Sequence, residues 1–402
     1  MRCFRPLVPA SLCCVASCLL LLSSCKRPSA TTAADAHVSS RPSAPARPPA
    51  IYDSHVHITP LPDTLNTALR IFSAVGVEKF AVKSAGSPGS PRFAATVQLA
   101  DYLGERMAFF GNIDWEGIDE PGWAKREVAA LEKIIAAGGS GIKIFKALGL
   151  GVRLKDGSLL KVDDPRLDPL WRRAGELGAI VAWHVADPVA FFKPIDKNNE
   201  RYDELSLAPD WSFYGKDYPS HAQLLAARDR VIARFPKTIF LGIHLANHPE
   251  DLDYVDGLLS RYKNLYVDTS ARVPEIGRHP PQKVREFFVR HQDRILFGTD
   301  LIVTPGGLQL GSVSLKEPDF SDAVAFYQAH RNYFETSKRQ IAHPTPIQGR
   351  WKVDAINLPP AVLSKFYRDN AERLIFAPRS RFLARRAAKQ RAEAGKSAGR
   401  AH

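Results

Sequence analysis

Residues 51–57 read IYDSHVH, an apolar stretch that ends on two histidines two positions apart. Side chains two positions apart in a β-strand point to the same side, so His55 and His57 can both face one metal ion if this stretch is a strand. Histidine pairs also occur on solvated surfaces, where they bind nothing. The meaning of the pair therefore depends on the rest of the chain.

Seven further short apolar runs follow, and amphipathic stretches separate them. The runs are 79–84, 107–113, 141–146, 179–185, 238–244, 264–269 and 294–299, and the helical stretches include 122–137, 219–235 and 360–376. Eight strand-then-helix units, with strands too apolar for a one-sided sheet, predict an α/β fold, the (β/α)8 TIM barrel. An open doubly wound sheet is the alternative, but no Gly-rich dinucleotide turn follows the first run.

Two of the predicted connections are long, 186–218 after strand five and 301–359 after strand eight. Both leave the C-terminal ends of strands, which is the face where barrel enzymes build their sites. Loops of this length in a compact domain are usually functional. A helix predicted at 319–336 in the second connection is a candidate lid.

Three more potential metal ligands stand at strand ends: His184 closes strand five, His244 closes strand six and Asp300 follows strand eight. Taken singly, a buried histidine is usually a hydrogen-bonded core residue, and an Asp after a strand is usually a helix cap. For the five residues not to form a metal site, one of these non-metal explanations would have to apply to each of them separately, at the same depth in the barrel. We therefore predict a metal centre, with ligand types that suit Zn²⁺ and similar divalent ions.

The chain resembles the amidohydrolase superfamily, specifically the amidohydrolase-related branch that also includes decarboxylating relatives. The resemblance extends from residue 51 to about residue 377. It rests on the segments YDSHVH (52–57), WH (183–184), GIH (242–244), FGTD (297–300) and NAERL (370–374). The combined pattern is specific to the superfamily and not to a substrate.

The resemblance implies that His55, His57, His184 and Asp300 hold the ion and leave a position for water. Zinc lowers the pKa of a bound water to about 7, and Asp300 is placed to take the proton and return it to a leaving group. His244 would either ligate a second ion or, with one ion, orient the water and polarise the substrate. The sequence leaves one or two ions open.

Strand four offers two lysines, Lys143 and Lys146. In two-metal relatives a carbamylated lysine bridges the ions, and Lys143 aligns best with that position. Alternation puts the two lysines on opposite sides of a regular strand, so at most one of them faces the ion. A surface ammonium and a cationic anchor for an anionic substrate are the alternatives.

Lys146, Arg272 and Asp187 are the candidate substrate-binding residues. Asp187 lies at the start of the loop after strand five, where capping of the loop is an equal alternative. Arg272 follows strand seven together with Asp268, and a structural ion pair is the alternative there.

The N-terminal region has the pattern of a bacterial lipoprotein. Residues 1–24 contain a basic start, an apolar run and small residues, which predicts a secretory signal peptide. Cys25 follows as the expected lipidation site, and residues 25–50 are an Ala/Ser/Pro-rich tether without large apolar side chains. We expect a chain anchored in a membrane at the bacterial cell envelope, on its periplasmic or outer face.

The net charge of +13 belongs mainly to the ends of the chain. The barrel domain, residues 51–378, carries only +1, whereas the predicted tail 379–402 is strongly basic. A nearly neutral body argues against a nucleic-acid-binding groove. All five cysteines lie within the first 25 residues, so the domain contains no disulfide and no thiol nucleophile.

The sequence thus predicts a metal-dependent hydrolase of a small amide, lactone or ester. Non-oxidative decarboxylation of a small aromatic or unsaturated carboxylate with a single ion is the alternative, with His244 protonating the substrate carbon. A metal-loaded binding protein without turnover is a third possibility. The substrate and the oligomeric state are not encoded in any feature that we can read.

Overall fold

The computed structural model describes residues 50–398, and within them the chain forms a barrel of eight parallel strands. The strands are β1 (Ile51–Ile58), β2 (Val77–Val82), β3 (Met107–Asn112), β4 (Gly141–Ile144), β5 (Ile180–Trp183), β6 (Ile239–Gly242), β7 (Leu265–Asp268) and β8 (Ile295–Leu296). Each neighbouring pair from β1 to β8 is parallel. The predicted TIM-barrel fold is confirmed, and every predicted strand overlaps an observed one.

The barrel closes between β1 and the segment that follows β8. The backbone N–H of Ser54 donates to the carbonyl of Phe297 at 2.9 Å, and that of Asp300 donates to the carbonyl of His55 at 2.9 Å. Two strands that the sequence did not predict continue from there, β9 (Leu301–Thr304), which pairs parallel with β1, and its hairpin partner β10 (Gly307–Leu310). The last predicted strand, 294–299, is therefore irregular. Its first half pairs with β7 and its second half pairs with β1.

Helices surround the barrel. They are α1 (Pro62–Val75), α2 (Pro91–Leu103), α3 (Trp123–Ala136), α4 (Ala147–Leu150), α5 (Asp168–Leu177), α6 (Tyr202–Leu207), α7 (His221–Arg234), α8 (Ile243–Ala246), α9 (Leu252–Arg261), α10 (Val273–Ile276), α11 (Pro281–Arg290), α12 (Phe320–Glu335), α13 (Pro360–Ser364) and α14 (Ala377–Ala398). Local signals fix their ends: α7 begins at a capping box of Ser220 and Gln223, and α1 ends at Gly76 with φ +80°.

The interior of the barrel has an apolar lower layer and a polar upper layer. Inward-facing side chains such as Phe110, Ala182 and Leu241 form a buried cluster with Ile375 and Phe376, which close the lower end. Residues one or two steps further along the same faces are polar, among them the buried Lys143 and Asp268. The strands therefore carry apolar packing at one end of the barrel and chemistry at the other.

The helix predicted as a lid is part of the barrel wall. α12 buries Phe326, Tyr333 and Phe334, and the hydroxyl of Tyr327 donates to the Asp53 carboxylate at 2.7 Å. Burial raises the pKa of Asp53 to about 6, although hydrogen bonds from Thr299 and Tyr327 oppose the rise. No residue of α12 lines the cavity at the candidate site, so the lid expectation gains no support and stays a prediction.

The predictions for the two ends of the chain, residues 1–50 and 379–402, stay predictions. The signal peptide 1–24, Cys25 and nearly all of the tether 25–50 lie outside the described residues. At the other end, α14 runs through most of the predicted tail 379–402, and Arg379 is buried, with Nη2 donating to the carbonyl of Ala100 at 2.8 Å. Between residues 50 and 398, no helix is both long enough and apolar enough to span a membrane.

His330 on α12 gives the fold a measurable dependence on pH. Burial lowers its pKa from 6.5 to about 4, and only the hydrogen bond from its Nδ1 to the carbonyl of Phe326 opposes this. Between those two values the unfolded chain binds a proton that the folded chain does not, so stability falls as the pH drops from 6.5 towards 4. His330→Leu should reduce the slope of unfolding free energy against pH by about 1.4 kcal/mol per unit. Urea unfolding in chelator at pH 4.5–6 measures this, and unchanged slopes would show that His330 is not buried neutral.

Candidate metal centre

Three electron-rich atoms converge at the upper end of the barrel. Nε2 of His55 lies 3.3 Å from Nε2 of His57, and Oδ1 of Asp300 lies 3.4 Å from the first and 3.3 Å from the second. Ligand atoms about 2.0–2.1 Å from a tetrahedral zinc ion lie about 3.3–3.4 Å from each other. The triangle therefore has the edge lengths of three zinc ligands.

His244 faces the same point. One ligand atom from each of His55, His244 and Asp300 lies within 4.8 Å of the others. Burial lowers the pKa of His55 to about 4, because the nearby Asp268 carboxylate offsets desolvation only in part. Burial also lowers the pKa of His57. The imidazoles are therefore neutral near pH 7, which is the form that binds metal ions.

Asp268 orients the ligands from behind. Its Oδ2 lies 3.0 Å from Nδ1 of His55, and its Oδ1 accepts the backbone N–H of His244 at 2.9 Å and the hydroxyl of Ser270 at 2.6 Å. With the Nδ1 proton directed at a carboxylate, His55 presents the lone pair of Nε2 to the ion. Asp268 is fully buried, and these contacts give it a positioning role.

Backbone strain places His244 and Asp300. His244 has φ +57° and is the first of four consecutive left-handed residues after β6, while Asp300 has φ +64°. Such conformations are uncommon for residues other than glycine and cluster at functional sites. Nδ1 of His244 donates to the carbonyl of Ser270 at 2.8 Å, which leaves the lone pair of Nε2 for the ion or the substrate.

His184 sits beside His244, with ring centroids 4.5 Å apart. Its Nε2 is 2.9 Å from Oδ1 of Asp187, so Nδ1 is the ring nitrogen left to bind an ion. Oδ2 of Asp187 accepts a hydrogen bond from Nζ of Lys146 at 2.6 Å. Although burial alone would raise the pKa of Asp187, Lys146 and His184 hold it below its ordinary value. Lys146 and Asp187 were predicted to bind substrate. In the structure they contact each other, and Asp187 also contacts His184, a candidate metal ligand.

Lys143 lies in the metal cavity, as expected from its place on β4. It is buried, and burial lowers its pKa to about 8 even though Asp300 and Asp268 favour the charged form. The strand ends at Ile144, so alternation does not govern Lys146, and both lysines reach the upper end of the barrel. Lys83, which the sequence analysis missed, is a second buried amine after Lys143, with Nζ 3.4 Å from the centroid of the Phe110 ring.

Arg272 is buried next to this group. Its Nη1 donates to the carbonyl of Ala271 at 2.7 Å, and in the described chain no carboxylate oxygen lies within 4 Å of its guanidinium. The sequence analysis gave a structural ion pair as the alternative role of Arg272, but Arg272 forms none within residues 50–398. Arg201 forms such pairs: it is fully buried and contacts the carboxylates of both Glu204 and Glu275. Arg201 thereby ties the long loop after β5 to the segment after β7.

The metal centre opens into a cavity of about 340 Å³. Its lining contains His57, His184, His244, Asp300 and Lys143, together with six residues that sequence reasoning missed: Thr59, Ser84, Arg92, Phe145, Ile302 and Thr304. Lys146, Asp187 and Arg272 do not line it. The missed residues come from the segments after β1, β2 and β4, from α2 and from β9. None of the six belongs to a motif of the sequence analysis.

Removal of a ligand tests the centre directly. His55→Ala and His57→Ala should each lower the affinity for zinc by a factor on the order of 100 or more, because each removes one corner of the triangle. His279→Gln is the matched control, since His279 donates to the carbonyl of Pro249 and does not line the cavity. Competition with a chromophoric chelator measures the affinities. Equal zinc binding by all four proteins would rule out this centre.

Solved structures with a similar fold catalyse different reactions. 2,6-Dihydroxybenzoate decarboxylase from Rhizobium is 17% identical with a TM-score of 0.45, and the match covers 82% of this chain and 99% of that chain. 4-Oxalomesaconate hydratase from Rhodopseudomonas palustris is 15% identical with a TM-score of 0.45, covering 85% and 99%. Dihydroorotase from Campylobacter jejuni is 13% identical with a TM-score of 0.44, covering 81% and 83%. These similarities do not indicate which reaction this chain catalyses.

No functionally curated protein matches the sequence. The family model described as Amidohydrolase matches residues 52–376, a range that runs from the first strand of the barrel to the residues that close its lower end. The match takes in every residue of the metal centre. The chain belongs to the amidohydrolase family.

Proposed function

We propose that this chain is a metal-dependent hydrolase that cleaves a small amide, lactone or ester. The observation that carries the proposal is the triangle of His55 Nε2, His57 Nε2 and Asp300 Oδ1 at the end of a cavity of about 340 Å³. Three such atoms at this separation repel one another unless a proton or a cation lies between them. Nitrogen and carboxylate ligands at these distances favour zinc.

A divalent ion held there supplies Lewis acidity, which makes water a nucleophile near neutral pH. Asp300 is the proton carrier, because its carboxylate both reaches the ligand triangle and lines the cavity. Although burial alone raises the pKa of Asp300, the neighbouring His55 and His57 rings lower it overall. The carboxylate is therefore ionised and able to accept a proton from water.

The state of His244 favours hydrolysis over decarboxylation. Decarboxylation would require this residue to deliver a proton to the substrate carbon. Burial, and next the charge of Arg272, keep the pKa of His244 well below 6.5, and its Nδ1 proton is directed away from the cavity at the carbonyl of Ser270. A neutral imidazole with a free Nε2 lone pair suits the binding and orientation of water.

The number of ions depends on Lys143. A neutral amine is needed to form a carbamate, and the lowered pKa of Lys143 makes part of it neutral near pH 8. If the Lys143 amine takes up carbon dioxide and releases a proton, the resulting carbamate would be a further anionic ligand and the site would hold two ions. With a free Lys143 amine, the site would hold one ion. The zinc-to-protein ratio and the intact mass of the native chain separate the two.

Asp300→Asn tests the role of the proton carrier. We expect zinc to be largely retained, because the amide oxygen of asparagine still occupies the third corner of the triangle. Turnover should fall by about 100-fold or more, since the amide cannot accept the proton. The measurement is kcat on whichever ester, lactone or amide a hydrolysis panel identifies, together with zinc content. Asp156→Asn, an exposed carboxylate that does not line the cavity, is the control.

A second panel, of aromatic and unsaturated carboxylates, separates the two reaction classes. Hydrolysis consumes water and releases no carbon dioxide. Release of carbon dioxide from this second panel, without any hydrolytic product, would therefore overturn the proposal. Unchanged turnover of the Asp300→Asn variant would refute its role even if hydrolysis occurs.

We also propose that Cys25 is lipidated and anchors the enzyme at the cell envelope, with residues 26–50 as the tether. The support is the sequence pattern of residues 1–25. Cys25→Ser should abolish incorporation of labelled palmitate and release the chain from the membrane fraction, whereas Cys18→Ser should change neither. Palmitate incorporation that persists without Cys25 would contradict this assignment.

A further inference from the structure

One wall of the metal cavity carries an arginine without an acidic partner. Arg92 lies in the first turn of α2 and lines the cavity together with Thr59, Ser84 and Thr304. Its Nε donates to the carbonyl of Ser84 at 2.6 Å, and its Nη2 lies 3.3 Å from the Ser84 hydroxyl. Two bonds to one residue fix the plane of the guanidinium and leave Nη1 without a bond to the described chain.

No carboxylate balances this charge. Among residues 50–398, no Asp or Glu oxygen lies within 4 Å of the Arg92 guanidinium. Asp300 is the one acidic residue in the lining, and the ion engages it. Lys143 adds a second basic side chain to the same cavity. With a divalent cation in place, the positive charge in the cavity would therefore exceed the negative charge that the protein supplies there.

An anionic ligand is the chemistry that fits such a wall. The planar fork of arginine donors matches the two oxygens of a carboxylate, and the surrounding hydroxyls offer further donors. A volume of about 340 Å³ is at the lower end of the range of small-molecule sites, so the ligand is small. A purely structural role would explain the bonds to Ser84 but not the unused donors that border the cavity.

We propose that Arg92 binds a carboxylate of the substrate, so that the substrates of this metal centre are small acids whose carboxylate is separate from the bond that is cleaved. The inference rests on the proposed function for the reaction, but it concerns recognition and is tested by binding. Arg92 is on this view the residue that determines the specificity.

The experiment compares acids that differ by one carboxylate. The full-length, zinc-loaded chain is titrated calorimetrically with succinate and propionate, glutarate and butyrate, and adipate and valerate. At least one dicarboxylate should bind about tenfold or more tightly than its monocarboxylate partner, because one carboxylate reaches the ion and the other forms charge-assisted hydrogen bonds with Arg92. Arg92→Gln should remove that preference.

Two further variants make the result unambiguous. Arg92→Lys keeps the charge but not the fork and should retain an intermediate preference, which also provides a test if the Gln variant does not fold. Arg106→Gln, which removes an exposed arginine on the same connection between β2 and β3, should behave as wild type. Zinc content and melting temperature are measured for each variant.

Two outcomes overturn the inference: a wild-type chain that prefers no dicarboxylate in the series, and an Arg92→Gln variant that keeps the preference. The proposed hydrolysis fails separately, if the zinc-loaded wild type cleaves no member of the hydrolysis panel. Because the first readout is a binding ratio and the second is turnover, each can fail while the other stands.

Discussion

The metal centre depends on the hydrogen bonds that close the barrel between β1 and residues 297–300. The Asp53 carboxylate accepts the hydroxyl of Thr299 at 2.6 Å and that of Tyr327 at 2.7 Å, while the backbone N–H of Asp300 donates to the carbonyl of His55. These contacts join residues 245 to 274 positions apart in the sequence. Without them, a carboxylate and two imidazoles that belong to opposite ends of the domain would not share an ion.

The barrel interior divides its packing from its chemistry. Apolar residues and the plug formed by Ile375 and Phe376 fill the lower layer, so the upper layer is free to hold buried polar groups that contribute little to packing. Desolvation there keeps the histidines neutral and partly deprotonates Lys143. An unpaired buried charge is costly, and the arrangement is consistent with an ion that neutralises the converging ligands.

The substrate side of the centre was the hardest part to predict. Lys146 and Asp187 stand after strands four and five, next to a candidate ligand in sequence, yet they bond to each other and to His184. Arg92 has no such neighbour in sequence, yet it lines the cavity. Which polar side chains neutralise one another inside the protein and which remain available to a ligand depends on distances between loops, and those distances are not encoded in any local pattern.

The sequence by itself determined the barrel and the ligand types. Alternating apolar runs fix strands, and His55, His57, His184, His244 and Asp300 each stand at a strand end, so parallel strands necessarily bring them to one rim. The tertiary structure alone decided the irregular eighth strand, the positive φ angles and the lining of the cavity. Those features arise because closure of the cylinder and the packing of its long loops join segments that are distant in sequence, and no local propensity encodes such contacts.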